Sequence, residues 1–143
     1  MTVEFDAVQV GDQLPEFVRT TGFGEWNRYA AVNDEFIPIH MDDEAGRAAG
    51  NDKGAFGMGN LRLAYLTNML RAWIGDDGEI RSLTAQYKAM NQKGDQLRAV
   101  GEVVGKEMTG GDALVHLKID VIDQNGTSTT PGRATVVLPQ RHR

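Results

Sequence analysis

The chain contains no cysteine. Disulfides, thiolate metal sites and a cysteine nucleophile are therefore excluded. Histidine is scarce, at His40, His116 and His142, and none has a second histidine at a spacing useful for metal ligation. Asp42 and Asp43 alone beside His40 make a poor metal site, so no metal is expected. No apolar run approaches the length of a membrane span. The opening Met1-Thr2-Val3-Glu4-Phe5-Asp6 also lacks the basic region and apolar core of a signal peptide. Positive charge is in deficit, with 15 Lys and Arg against 20 Asp and Glu for a formal charge of −5. That balance argues against nucleic acid or an anionic membrane surface as a partner. There is no internal repeat, low-complexity segment or linker. The 143 residues are read as one domain, 1–143, with a cytoplasmic location expected.

What is present concentrates in one run, Asn33-Asp34-Glu35-Phe36-Ile37-Pro38-Ile39-His40-Met41-Asp42. It follows a short amphipathic helix, Phe23 to Val32, with Trp26, Tyr29 and Ala30 on one side. Proline fixes its own φ and keeps Ile37 out of the helical region, so His40 is held in a stiff turn. A carboxylate and an imidazole held together suit acid–base chemistry on a neutral substrate. Asp42 is expected to cap a small helix that ends at Gly50. The segment from Gly50 to Gly59 is too glycine-rich for regular structure. Gly54, Gly57 and Gly59 resemble a phosphate loop only superficially, because no Gly-Lys-Ser/Thr follows.

The longest helix is predicted from Asn60 to Trp73. Leu61, Leu63, Leu66, Met69, Leu70 and Trp73 fill most of its circumference, and Arg62, Thr67, Asn68 and Arg71 lie near one edge. So wide an apolar surface marks a central, mostly buried helix. Arg62 and Asn60 open this helix and are expected at the surface, contact with a substrate chain or a partner subunit being the alternative. Four period-two patterns follow, over 83–89, 97–103, 115–121 and 134–138. Asn125-Gly126 supplies a hairpin signal between the last two. A buried helix followed by an antiparallel sheet defines an α+β layout, with the sheet wrapped around the helix.

This order of pieces resembles the hotdog fold, and specifically the MaoC-like or (R)-specific enoyl-CoA hydratase family. The family loop reads acid-x-Asn-Pro-x-His-x-Asp after a helix ending in Tyr-Ala. Here Tyr29-Ala30 precedes Glu35-Phe36-Ile37-Pro38-Ile39-His40-Met41-Asp42, and Ala55-Phe56-Gly57-Met58 matches the family's Ala-His-Gly-Met. Val10-Gly11-Asp12 and Lys93-Gly94-Asp95 match further family segments. Three positions depart: the acid is Glu35 with Asp34 one place earlier, Ile37 replaces asparagine, and Phe56 replaces histidine.

The resemblance implies a hydratase or 3-hydroxyacyl thioester dehydratase that adds or removes water across a trans-2-enoyl thioester. Glu35 and His40, with Asp34 as the alternative acid, would be the catalytic groups. Gly57 and Met58 would bind the thioester, the Gly57 N–H meeting the developing oxyanion. No cofactor is implied; coenzyme A or an acyl carrier protein carries the substrate. Lys88, Lys93 and Arg98 are candidates for the coenzyme A phosphates. A homodimer, or a heterodimer with another hotdog chain, is expected. The departures also fit a catalytically impaired partner subunit of a heteromeric hydratase acting on bulky, steroid-type acyl-CoA. A thioesterase on this fold generally places its carboxylate on the central helix, and none lies between Asn60 and Gly75.

Overall fold

Alternation of apolar residues from Leu97 onward becomes a curved antiparallel sheet in the computed structural model, which describes residues 2–141. His142 lies outside the described residues. In chain order the strands are β1 (Phe17–Thr20), β2 (Glu79–Ala85), β3 (Gln96–Thr109), β4 (Asp112–Ile122) and β5 (Gly132–Val137). They are arranged β1-β3-β4-β5-β2, every pair antiparallel. Gly110 and Gly111, with φ of 59° and 89°, form the two-residue turn between β3 and β4. Such a turn needs two residues at positive φ, which glycine adopts without a Cβ clash. At the end of β4, the Asp123 carboxylate accepts from the N–H groups of Asn125 and Thr127 around Gly126. The chain therefore turns at the predicted Asn-Gly, then runs through Thr129 and Thr130 before joining β5.

Among the described residues a 3-10 turn at Phe5–Ala7 and four α-helices complete the structure: α1 (Phe23–Asn33), α2 (Pro38–Met41), α3 (Asp43–Ala48) and α4 (Gly59–Ile74). Helix α4 buries Leu66, Met69, Leu70 and Ile74 against Leu97, Val103, Val115, Leu117, Ile119, Val121 and Val136 of the sheet. Each fully buried aliphatic side chain contributes roughly 1.5–3 kcal/mol. This is the main core. A second, small cluster of Trp26, Ala55 and Met58 lies under α1. Among the described residues no helix is long and apolar enough to cross a membrane.

Three expectations change. There are five strands rather than four, because Phe17–Thr20 pairs with β3 at the sheet edge. The strand expected over 83–89 lies at Glu79–Ala85, and Tyr87 to Ala89 continue beyond it as an irregular segment. The loop expected around Pro38 contains one helical turn, α2, with proline at its start and His40 inside it.

Candidate active site

Helix α1 ends at Asn33, and the next residue, Asp34, has φ 51° in the left-handed region. The Asp34 and Glu35 N–H groups both donate to the Ala30 carbonyl, that of Glu35 at 2.9 Å. Glu35 is thus set by the helix terminus itself. After it, Pro38 starts α2 in the first-turn position, where its missing N–H costs nothing. That turn delivers His40, only 8% exposed. Asp42 caps α3 by accepting from the Glu44 N–H at 2.9 Å, as predicted.

The glycine-rich segment before α4 is fixed by side chains from three directions. The Asn51 amide donates to the Gly54 carbonyl at 2.6 Å and exchanges hydrogen bonds with Gln92. The Asp43 carboxylate accepts from the Ala55 N–H and pairs with Lys93. Those bonds, that to Lys93 first, hold its pKa below the usual carboxylate value. Gly54 has φ 98°, and a Cβ at Gly46 would collide with its carbonyl. Phe56 then bonds its N–H to the Ile39 carbonyl at 3.3 Å.

The Phe56 carbonyl lies 2.7 Å from His40 Nδ1. A carbonyl can only accept, so Nδ1 carries a proton, and Nε2 is the nitrogen left to face the cavity as acceptor or donor. The Phe56 ring meets the imidazole edge-on at 5.4 Å. A cavity of about 220 Å³ is lined by Tyr29, Glu35, Ile37, His40, Met58, Gly59, Asn60 and Tyr87. It opens at the head of α4, where no side chain caps the first turn. Those unsatisfied N–H groups and the helix dipole favour negative charge. Burial raises the Tyr29 phenol pKa, and the neighbouring Glu35 carboxylate adds to the shift. Tyr87 donates to Asn60 Oδ1 at 2.9 Å.

Among the predicted residues, Glu35, His40 and Met58 line this cavity, and Asp34 does not. The Gly57 N–H requires a correction. It donates to the Asn91 carbonyl at 2.9 Å, so it is not a free oxyanion donor. Glycine is needed there because a Cβ would overlap the Asn91 carboxamide. Arg98 pairs with Glu16, and Lys93 is held by Asp43 beside the Phe23 ring. Lys88 borders a second cavity.

That second cavity, about 340 Å³, is lined by His40, Phe56, Gly57, Gly59, Arg62, Tyr87, Lys88, Ala89 and Met90. His40, Gly59 and Tyr87 belong to both cavities. Arg62 is 4% exposed rather than on the surface, contrary to expectation. Tyr87 and Tyr29 also went unnoticed as site residues. Only the Tyr29-Ala30 pair carried a hint of it. Among the described residues there is no group of three or more histidines and carboxylates placed to hold a metal.

No family model matches the chain, and no curated protein does. Solved structures do match. The (R)-hydratase PhaJ1 from Pseudomonas aeruginosa aligns over 98% of this chain and 88% of its own, with TM-score 0.85 and 21% identity. An (R)-hydratase from A. caviae involved in PHA biosynthesis aligns over 93% and 98%, with TM-score 0.82 and 21% identity. A chain of the ChsH1–ChsH2 complex from Mycobacterium tuberculosis aligns over 91% and 98%, with TM-score 0.78 and 18% identity. The architecture is therefore the hotdog fold of MaoC-like dehydratases and (R)-hydratases.

Proposed function

We propose that the protein is a hydro-lyase that hydrates trans-2-enoyl thioesters or dehydrates 3-hydroxyacyl thioesters, with Glu35 and His40 as its working pair. One observation carries this reading: both groups line a single cavity at the uncapped head of α4, with His40 held in one tautomer by the Phe56 carbonyl. The ionised Glu35 and the neutral His40 Nε2 both accept hydrogen bonds, so together they hold one water by its two hydrogens. As the water oxygen bonds to C3, one of the pair takes a proton. The C2–C3 π electrons move toward the thioester oxygen, and the same pair returns the proton to C2. The first-turn N–H groups of α4, from Gly59 onward, take the oxyanion role that the occupied Gly57 N–H does not fill. Oriented donors of this kind contribute roughly 2.7–4 kcal/mol in other enzymes. No cofactor enters this scheme; coenzyme A or a carrier protein is the handle on the substrate.

Ile37, Tyr87 and Met90 are exposed apolar residues lining the two cavities. A second copy or another hotdog chain would cover them. A subunit of a heteromeric hydratase is the second reading, favoured by the Gly57 N–H being already bonded and by the likeness to a chain of the ChsH1–ChsH2 complex.

The test is hydration of crotonyl-CoA by the purified chain, followed as loss of enoyl absorbance, beside Glu35→Gln, His40→Ala and Asp34→Asn. Turnover that survives Asp34→Asn but falls about 10²–10⁴-fold in the other two supports the pair. Damage from Asp34→Asn alone transfers the acid role to Asp34. Absence of turnover on short and bulky enoyl-CoA alike, restored by a partner chain, favours the subunit.

A further inference from the structure

Among the described residues, Arg62 is the only lysine, arginine, aspartate or glutamate that is buried. Its Nη1 donates to the Ala89 carbonyl at 2.6 Å and to the Thr129 carbonyl at 3.4 Å. Its Nε is buried with no hydrogen-bond partner. No carboxylate of the described residues pairs with it, and its other neighbour is the Tyr87 ring, 5.4 Å from the guanidinium carbon. Burial pushes its pKa down, yet a guanidinium remains charged at any ordinary pH. Among the described residues this positive charge is met by neutral carbonyls and a ring face, and it borders a cavity. A charge so poorly offset favours an anion that joins it.

We propose that Arg62 binds a carboxylate carried on the acyl chain, so that the cleft accepts 2-enoyl thioesters of dicarboxylic acids. This rests on the hydratase reading and names its substrate class. The two cavities support it by their opposite linings. The one at Glu35 has no cation, whereas the one at Arg62 has Arg62 and Lys88 and no acid. His40 borders both, so a substrate with its reacting carbons at His40 can extend an anionic end to Arg62. Tethering through Nη1 fixes the plane of the guanidinium, which is the geometry that recognises a planar carboxylate. The thioester oxygen is a weaker candidate, being uncharged before reaction. The phosphates of coenzyme A suit the exposed Lys88 at the mouth better than a side chain 4% exposed.

The experiment compares two five-carbon substrates on the unaltered protein: trans-2-pentenoyl-CoA, and glutaconyl-CoA, whose chain ends in a carboxylate. Both carry the same coenzyme A, so its phosphates cancel. A charge-assisted pair predicts kcat/KM about 100-fold higher for glutaconyl-CoA. Arg62→Met should abolish that preference while Arg62→Lys retains part of it. Equal kcat/KM, or a preference for pentenoyl-CoA, overturns the proposal and leaves the hydratase reading standing. Calorimetry with the unreactive glutaryl-CoA and pentanoyl-CoA separates the two failures. Tighter binding of glutaryl-CoA without turnover upholds the carboxylate site and sinks the hydratase reading. Equal binding overturns the site whether or not the chain is active, and it needs no variant that might misfold.

Discussion

Around α4 and the sheet, buried side chains are almost wholly aliphatic, and the backbone is satisfied by ladder hydrogen bonds. The layer that carries Glu35 and His40 is built otherwise. Its apolar cluster is only Trp26, Ala55 and Met58, and its shape depends on side-chain bonds from Asn51, Asp43, Gln92 and Trp26. Apolar burial is non-directional and forgiving of small shifts, whereas each polar bond specifies a distance and an angle. The molecule thus obtains stability from one region and positional accuracy from the other.

The sharpest way to separate the regions is to strike the proposed pair, Glu35 and His40. His40→Ala or Glu35→Gln should lower turnover by about 10²–10⁴-fold, and Glu35→Gln, at an exposed residue, should leave the urea midpoint unchanged. An equal loss of stability would show that the site layer also supports the fold. Next, Leu66→Ala in the fully buried face of α4 should cost about 2–5 kcal/mol in urea unfolding. Activity per folded molecule should survive it. Asn51→Ala should show the opposite balance. It leaves the Gly54 carbonyl and Gln92 without partners, at about 1–3 kcal/mol, and loosens the segment that holds His40. Its activity loss should therefore exceed that of Leu66→Ala when both are measured on folded protein. The smallest effect is expected from Asp34→Gly. Relieving φ 51° should change stability by less than about 1 kcal/mol and leave turnover intact.

Most of the fold was legible because period-two and helical apolar patterns each bury one face, and that burial is what the residues encode locally. Strand β1 escaped because Phe17 to Thr20 is an edge strand with one half-buried residue and three exposed ones, which leaves no alternation. Strand β2 was displaced because Tyr87 and Ala89 continue the alternation beyond Ala85↔Gly132, the last pair with β5. The spacing around Pro38 pointed to His40 with Glu35 or Asp34, and of the two acids Glu35 shares a cavity with His40. Arg62 could not, because its burial is made by the Ala89 and Thr129 carbonyls, which come from elsewhere in the chain. The occupied Gly57 N–H was hidden for the same reason, since its acceptor is Asn91.

The imidazole proton is placed by the Phe56 main-chain carbonyl, an atom every residue type possesses. The side chain at that position can therefore drift through evolution without resetting the tautomer. Phenylalanine at position 56 makes the chamber wall apolar, while the orientation of the His40 ring rests on the backbone carbonyl. That division leaves position 56 free to vary while the placement of the His40 proton stays unchanged.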